Sequence, residues 1–169
     1  MKNTIIKFGI YASLVGGFIF IGGHFFDWNI DFGVLEIFGY ASIFASLSFV
    51  FFGIKHFRDN INDGIVSFKN ALLIGLAISA IAGLVIAFLD VIYVTVINPD
   101  FVSEYLQYAL DGMKNTLPPE EFETQKAILV EQMKLFESPV IAGLIMFVTV
   151  FAIGIIISLL SSLILQRKR

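Results

Sequence analysis

Aspartate, glutamate, lysine and arginine are all absent from four long stretches of this chain, 8–26, 37–54, 70–89 and 138–166. A helix of roughly 20 apolar residues crosses a hydrocarbon core of about 30 Å, and each stretch meets or approaches that length. Inside lipid every backbone N–H and C=O must be satisfied by the chain itself, which leaves helices or a closed barrel. Barrel strands are shorter and alternate in polarity, as these stretches do not. With 57% hydrophobic residues, 19 phenylalanines among 169 residues and a mean hydropathy of +0.87, the chain lacks the polar surface of a water-soluble globule. The expected fold is all-α: a four-helix transmembrane bundle in a single integral membrane domain.

The charges between the stretches set the orientation. Lys2 and Lys7 precede the first span, Lys55, Arg58 and Lys69 lie between the second and third, and Arg167, Lys168 and Arg169 close the chain. The other two connections are acidic, carrying Asp27, Asp31 and Glu36, then Asp100, Glu104, Asp111, Glu120, Glu121, Glu123, Glu131 and Glu137 against Lys114, Lys126 and Lys134. Basic loops stay on the cytoplasmic side, so both termini are expected there. The first span exceeds the roughly 7–15 apolar residues of a signal peptide and has no small-x-small site before Asp27, so it is expected to remain as a helix.

Small residues recur every fourth position within the spans: Ala12 and Gly16, Ser13 and Gly17, Ser42 and Ser46, then Ser79, Gly83 and Ala87, and Gly154, Ser158 and Ser162. Such stripes let helix backbones approach closely where lipid provides no hydrophobic force. They suit packing within one bundle, or contacts in a homo-oligomer. Around the midplane, near 15–18, 45–48, 80–82 and 153–157, the polar residues are Ser46 and Ser48. A conducting path needs polar groups at that depth.

Spans three and four are longer than a bilayer requires. Counting about 20 residues outward from Lys69 reaches Leu89 and Asp90, yet the apolar run continues to Asn98-Pro99. Counting inward from Arg167 leaves 139–146 on the same outer side. The spans therefore read as about 8–26, 35–54, 70–97 and 139–165, the last two projecting beyond the membrane, with an external helical segment over about 98–138. Asn98 and Pro99 suggest one helix start and Thr116 to Pro119 a second. Phe101, Tyr105 and Ala109 with Val102, Leu106 and Met113 form one apolar face; Phe122, Leu129, Met133 and Phe136, joined by Ile128 and Leu135, form another. The segment is thus an amphipathic, acidic helical hairpin. Its excess of glutamate argues for packing on the projecting helices rather than on anionic lipid.

Few residues carry chemistry. Asp90 is the one acid well inside a hydrophobic stretch, which makes it a candidate for a proton or cation role. Glu36, Asp27, Asp31 and His24 fall at a similar outer level, where interface solvation and helix capping compete with a divalent-cation cluster. The other histidine, His56, stands beside Lys55 and Arg58, and no serine occupies a strand–turn–helix elbow. Without cysteine there is no thiolate nucleophile and no Cys-based metal site. No enzyme activity, cofactor, metal or nucleic acid is implied. The connection from Phe52 to Ala71, with Arg58 and Asp59, the turn signal Asp63-Gly64 and Ser67 as a cap for span three, is a tight re-entry loop or a docking surface.

Gly39-Tyr40-Ala41-Ser42, the Gly-Ile-Lys, Phe-Arg-Asp, Ser-Phe and Lys-Asn-Ala elements between Phe52 and Gly75, and Asn98-Pro99-Asp100-Phe101 together resemble the bacterial membrane-protein family known as domain of unknown function 4199. The chain departs from it at Asp63-Gly64, where a Gly-Gly pair is expected. The resemblance implies a small four-span inner-membrane protein and carries over no activity, substrate or catalytic residue. Two functional classes follow: a structural or accessory subunit working through protein contacts at the membrane faces, its partners being the bilayer and another membrane protein or a second copy, and a small transporter or channel using Asp90.

Overall fold

The computed structural model describes residues 1–25 and 32–167. Among them the chain forms six α-helices and no strand: α1 (Lys2–Phe25), α2 (Phe32–Asn60), α3 (Phe68–Ile92), α4 (Phe101–Thr116), α5 (Pro119–Lys134) and α6 (Pro139–Leu165). A π-helical turn, Tyr93–Ile97, prolongs α3, and a 3-10 turn, Leu135–Glu137, joins α5 to α6. Four helices are long and apolar enough to cross a membrane: α1, α2, α3 with its π turn, and α6. The described residues divide into two compact units, one drawn from 1–86 and 146–167, the other from 87–145.

In the first unit the apolar core consists of Phe8 and Ala12 from α1, Ile43, Leu47, Val50, Ile54 and Phe57 from α2, Ala71, Ile74, Ile78, Ala82 and Ile86 from α3, and Val150 and Leu165 from α6, with Val66 from the α2–α3 connection. The small-residue stripes turn inward. A methyl group added at Gly16 would lie 2.8 Å from the Ser46 Cβ, one at Gly75 2.6 Å from the Ser158 Oγ, and one at Gly154 2.5 Å from the Ser79 Cβ. Each glycine receives a serine from a neighbouring helix, so two backbones come together where no larger residue fits. Gly9 against Ile81 and Gly53 against Ile78 repeat the arrangement with larger partners. The stripes expected from four-residue spacing are therefore spent on packing inside one bundle.

More hydroxyls sit inside this unit than the midplane windows suggest. Ser13, Ser42, Ser46, Ser79, Ser158, Ser161 and Ser162 are all buried, whereas Ser48 is exposed and bonds back to the Ala45 carbonyl. Lipid offers no water to a buried hydroxyl, and helix carbonyls take the protons of four of them, while Ser162 Oγ has no partner among the described residues. Ser13 donates to Gly9 O at 2.8 Å, Ser42 to Gly39 O at 2.7 Å and Ser79 to Gly75 O at 2.9 Å. Ser46 crosses to another helix, donating to Ala12 O at 2.8 Å.

The second unit contains the far ends of α3 and α6 with the α4–α5 hairpin. The segment starts its first helix later than the Asn98-Pro99 signal suggests. The Asn98 amide donates to Tyr93 O at 2.8 Å, closing the π turn, and its side chain donates to Glu104 Oε2 at 2.9 Å. Asn98 is thereby occupied, and α4 begins at Phe101 with Asp100 before it. The helix then runs through Asp111-Gly112 to Thr116. Pro119 opens α5 at its first position, as expected. Phe122, Leu129, Met133 and Phe136 are half-buried, but Ile128 and Leu135 are exposed and do not belong to the covered stripe.

Candidate functional site

Two places collect the polar groups that the sequence singles out. The first is the α2–α3 connection. α2 does not stop where its uncharged stretch stops; it carries Lys55, His56, Arg58 and Asp59 on one more helical turn, where basic side chains favour the negative end of the helix dipole. Only 61–67 is non-helical. Asp63 (φ 51°) and Gly64 (φ 78°) both adopt the left-handed conformation. Glycine takes it without strain, and aspartate is among the few other residues that tolerate it. The departure from Gly-Gly at Asp63 thus leaves the turn intact. Ser67 caps α3 as expected, its Oγ accepting the Asn70 amide at 3.3 Å.

This connection grips the end of α6. Val66 and Arg167 exchange two backbone hydrogen bonds, Val66 N to Arg167 O at 3.2 Å and Arg167 N to Val66 O at 2.9 Å. Arg58 reinforces the grip: its guanidinium reaches the Leu165 carbonyl at 3.4 Å while engaging Asp59 through Nε–Oδ1 at 2.6 Å and Nη2–Oδ2 at 3.1 Å. The last carbonyls of a helix have no partner within it, and a cation there satisfies both the hydrogen bond and the dipole. Arg58 and Asp59 therefore form a clamp on a helix end. Beside it, the His56 ring lies 5.3 Å from Phe8, with Asn60 Nδ2 at 3.2 Å from its Nδ1, and Lys7 stands 5.9 Å from the Phe8 and Tyr11 rings.

The second place is the unit containing the hairpin. Tyr93, buried at 7% exposure, meets the Phe101 ring edge-on at 5.4 Å, and Phe101 stacks on Tyr105 at 6.3 Å. The apolar side of α4 thus lies against the end of α3, the packing expected of an acidic hairpin. A cavity of about 350 Å³ opens between Val94 and Pro99 on one side and Leu106, Val130, Met133 and Phe136 on the other. Ser103, Lys134 and Glu137 also border it. In the same unit a methyl group at Gly143 would lie 2.6 Å from Val91 Cγ2, a close packing of α6 on α3 that the spacing rule missed.

The remaining candidates are dispersed. Asp90, in the second unit, is half-buried and has no hydrogen bond or ion pair with a described residue. Glu36 is exposed on α2 in the first unit. Asp27 and Asp31 lie outside the described residues, as does the side chain of His24. Among the described residues no three His, Cys, Asp or Glu side chains converge on one point.

A family model described as "Protein of unknown function (DUF4199)" matches residues 7–167. The chain belongs to that family. No curated protein and no solved structure matches it. The DUF4199 match takes in both units, the hairpin included, and its recognisable elements now have physical tasks. The Phe-Arg-Asp element supplies Phe57 to the core and Arg58-Asp59 to the clamp. Gly53 and Gly75 supply close helix approaches, and Asn98 closes the π turn from which the DUF4199 hairpin departs. Sequence alone marked Arg58 and Asp59 but not Val66 and Arg167, whose pairing is made by backbone and leaves no side-chain signature.

Proposed function

We propose that this chain is a non-enzymatic accessory subunit of a membrane assembly, working through protein contacts at the two membrane faces, with the α4–α5 hairpin as its principal surface. The observation that carries this reading is that no residue of α4 or α5 is buried, and that Tyr108 on α4, Ile128 on α5 and Leu135 in the turn after it are exposed large apolar groups. Exposed apolar groups set among Glu120, Glu121, Glu123 and Glu131 suit a protein partner, since such a rim is what a protein interface offers and what an anionic lipid surface repels. The proposed setting is a bacterial cytoplasmic membrane, with both termini in the cytoplasm and the hairpin outside, as the distribution of basic residues argues.

The test is a photo-crosslinking residue placed at Leu135 in native membranes. A discrete adduct is expected there, absent from a copy placed at lipid-facing Phe18, and lost when Ile128 is changed to Asp. An adduct of twice the chain mass identifies a second copy as the partner; no reproducible adduct refutes the reading. One observation favours a second reading: a half-buried carboxylate without a partner, Asp90, in an apolar helix suits a proton or cation role. In proteoliposomes, an Asp90-dependent ion flux that Asp90→Asn abolishes while the protein stays folded would overturn the accessory reading in favour of transport.

A further inference from the structure

We propose that the cavity within the hairpin unit is a lipid site, taking one acyl chain of a zwitterionic phospholipid whose phosphate meets Lys134 and whose ammonium meets Glu137. This goes beyond the contact role above and stands or falls separately from it. The opening, about 350 Å³, falls in the range of small-molecule sites, roughly 300–1,000 Å³. Its walls are the apolar side chains of Val94, Leu106, Val130, Met133 and Phe136. Such walls suit a hydrocarbon chain.

The rim selects the head. Lys134 and Glu137 both border the cavity, and neither forms an ion pair with a described residue. One turn apart in sequence, they offer a cation and an anion on one rim, complementary to a phosphate and an ammonium on one molecule. Ser103 adds a hydroxyl at the same border. The source is at hand. Val94 follows the point near Asp90 where about 20 helical residues from Lys69 exhaust the hydrocarbon thickness, so the cavity begins at headgroup depth. A lipid enters it without crossing water.

The experiment uses the full chain in vesicles of phosphatidylethanolamine doped with the same lipid bearing a diazirine at its acyl end, with peptides mapped after irradiation. Labelling is expected to concentrate on residues 102–106 and 130–136. Filling the cavity by Leu106→Trp is expected to cut that labelling at least about tenfold, as loss of a ligand pocket should. Val130→Phe gives a second, independent filling should the first variant fail to fold. Lys134→Gln is expected to lower labelling about two- to fivefold, the scale of an exposed charge contact, and a matching diazirine phosphatidylglycerol, which lacks the ammonium, is expected to label less than phosphatidylethanolamine. Labelling that is unchanged by both filling variants, or spread evenly over lipid-facing positions such as Val148 and Ile156, overturns the proposal; so does equal labelling by a diazirine diacylglycerol without a headgroup.

Discussion

A single methylene decides whether these helices meet. Gly75 and Gly154 face Ser158 and Ser79, and those two serines approach each other at 3.5 Å between hydroxyl oxygens. The pairing is reciprocal: α3 offers a glycine and a serine one turn apart, and α6 offers the same. Association in lipid depends on this fit, because lipid tails are as apolar as leucine, and each interhelical hydroxyl contributes only about 0.6 to 2 kcal/mol. Added bulk should therefore cost more than a lost hydrogen bond. Gly154→Ala is expected to destabilise the bundle by about 1–3 kcal/mol, the usual penalty for overpacking, and Ser79→Gly to restore part of that loss by vacating the contested space. Gly39 has open space around a would-be methyl, so Gly39→Ala should be neutral or gain about 0.5–1 kcal/mol from the better helix former. Unfolding midpoints in detergent, read for the three single variants and the Gly154/Ser79 pair, check this; equal effects at Gly154 and Gly39 would show that the interlock does not hold the helices.

At the scale of elements, the ends of helices carry the information that spans do not. The extent of α3 and α6 was legible because Ser67, Pro99, Pro139 and the closing basic residues punctuate them. The end of α2 was not, since charge marks the edge of hydrocarbon and a helix continues past that edge. The hairpin was readable from its two prolines and its glutamates, while the exposure of Ile128 and Leu135 was not, because 3.6-residue periodicity gives a stripe its direction but not its width. The clamp on α6 was invisible for another reason: half of it is main chain. Arg58 is its side-chain part, largely covered at 13% exposure, and its removal tests whether the connection or the helix end holds the other. In Arg58→Gln the amides of Val66 and Arg167 should exchange with deuterium several-fold faster, while amides in the middle of α2 and α3 keep their rates. Unchanged exchange at both amides would reduce Arg58 to a surface charge.

For the whole molecule, large apolar side chains occupy the lipid-facing surface as well as the interior, unlike in a soluble protein. Small and hydroxylated residues mark the contacts between helices inside, beside Leu47, Ile54 and Ile78, while Phe18, Phe44, Phe88, Leu144 and Ile164 are exposed. That division was legible from the stripes of four-residue spacing, and the candidate site was not, because a bundle of this kind leaves its reactive groups scattered: a clamp at one end, a cavity in the hairpin, Asp90 alone. Orientation and projection are the properties from which any role at the membrane faces must start, and the chain has no cysteine, so one introduced thiol reports on one position. Tyr93 and Ala142 mark the projecting ends but are buried at 7% and 5% exposure and would stay silent whatever their depth. Val96 and Val140, at 73% and 78%, face outward beside them. If α3 and α6 project on the outer side, Val96→Cys and Val140→Cys in intact cells react with a membrane-impermeant maleimide. Leu84→Cys, exposed to a similar degree but at hydrocarbon depth, does not, and Asn62→Cys in the α2–α3 connection reacts only after permeabilisation. Labelling of Asn62→Cys without permeabilisation would invert the orientation, and silence at both valines beside a reactive Lys126→Cys would place the π turn of α3 and the start of α6 within the bilayer.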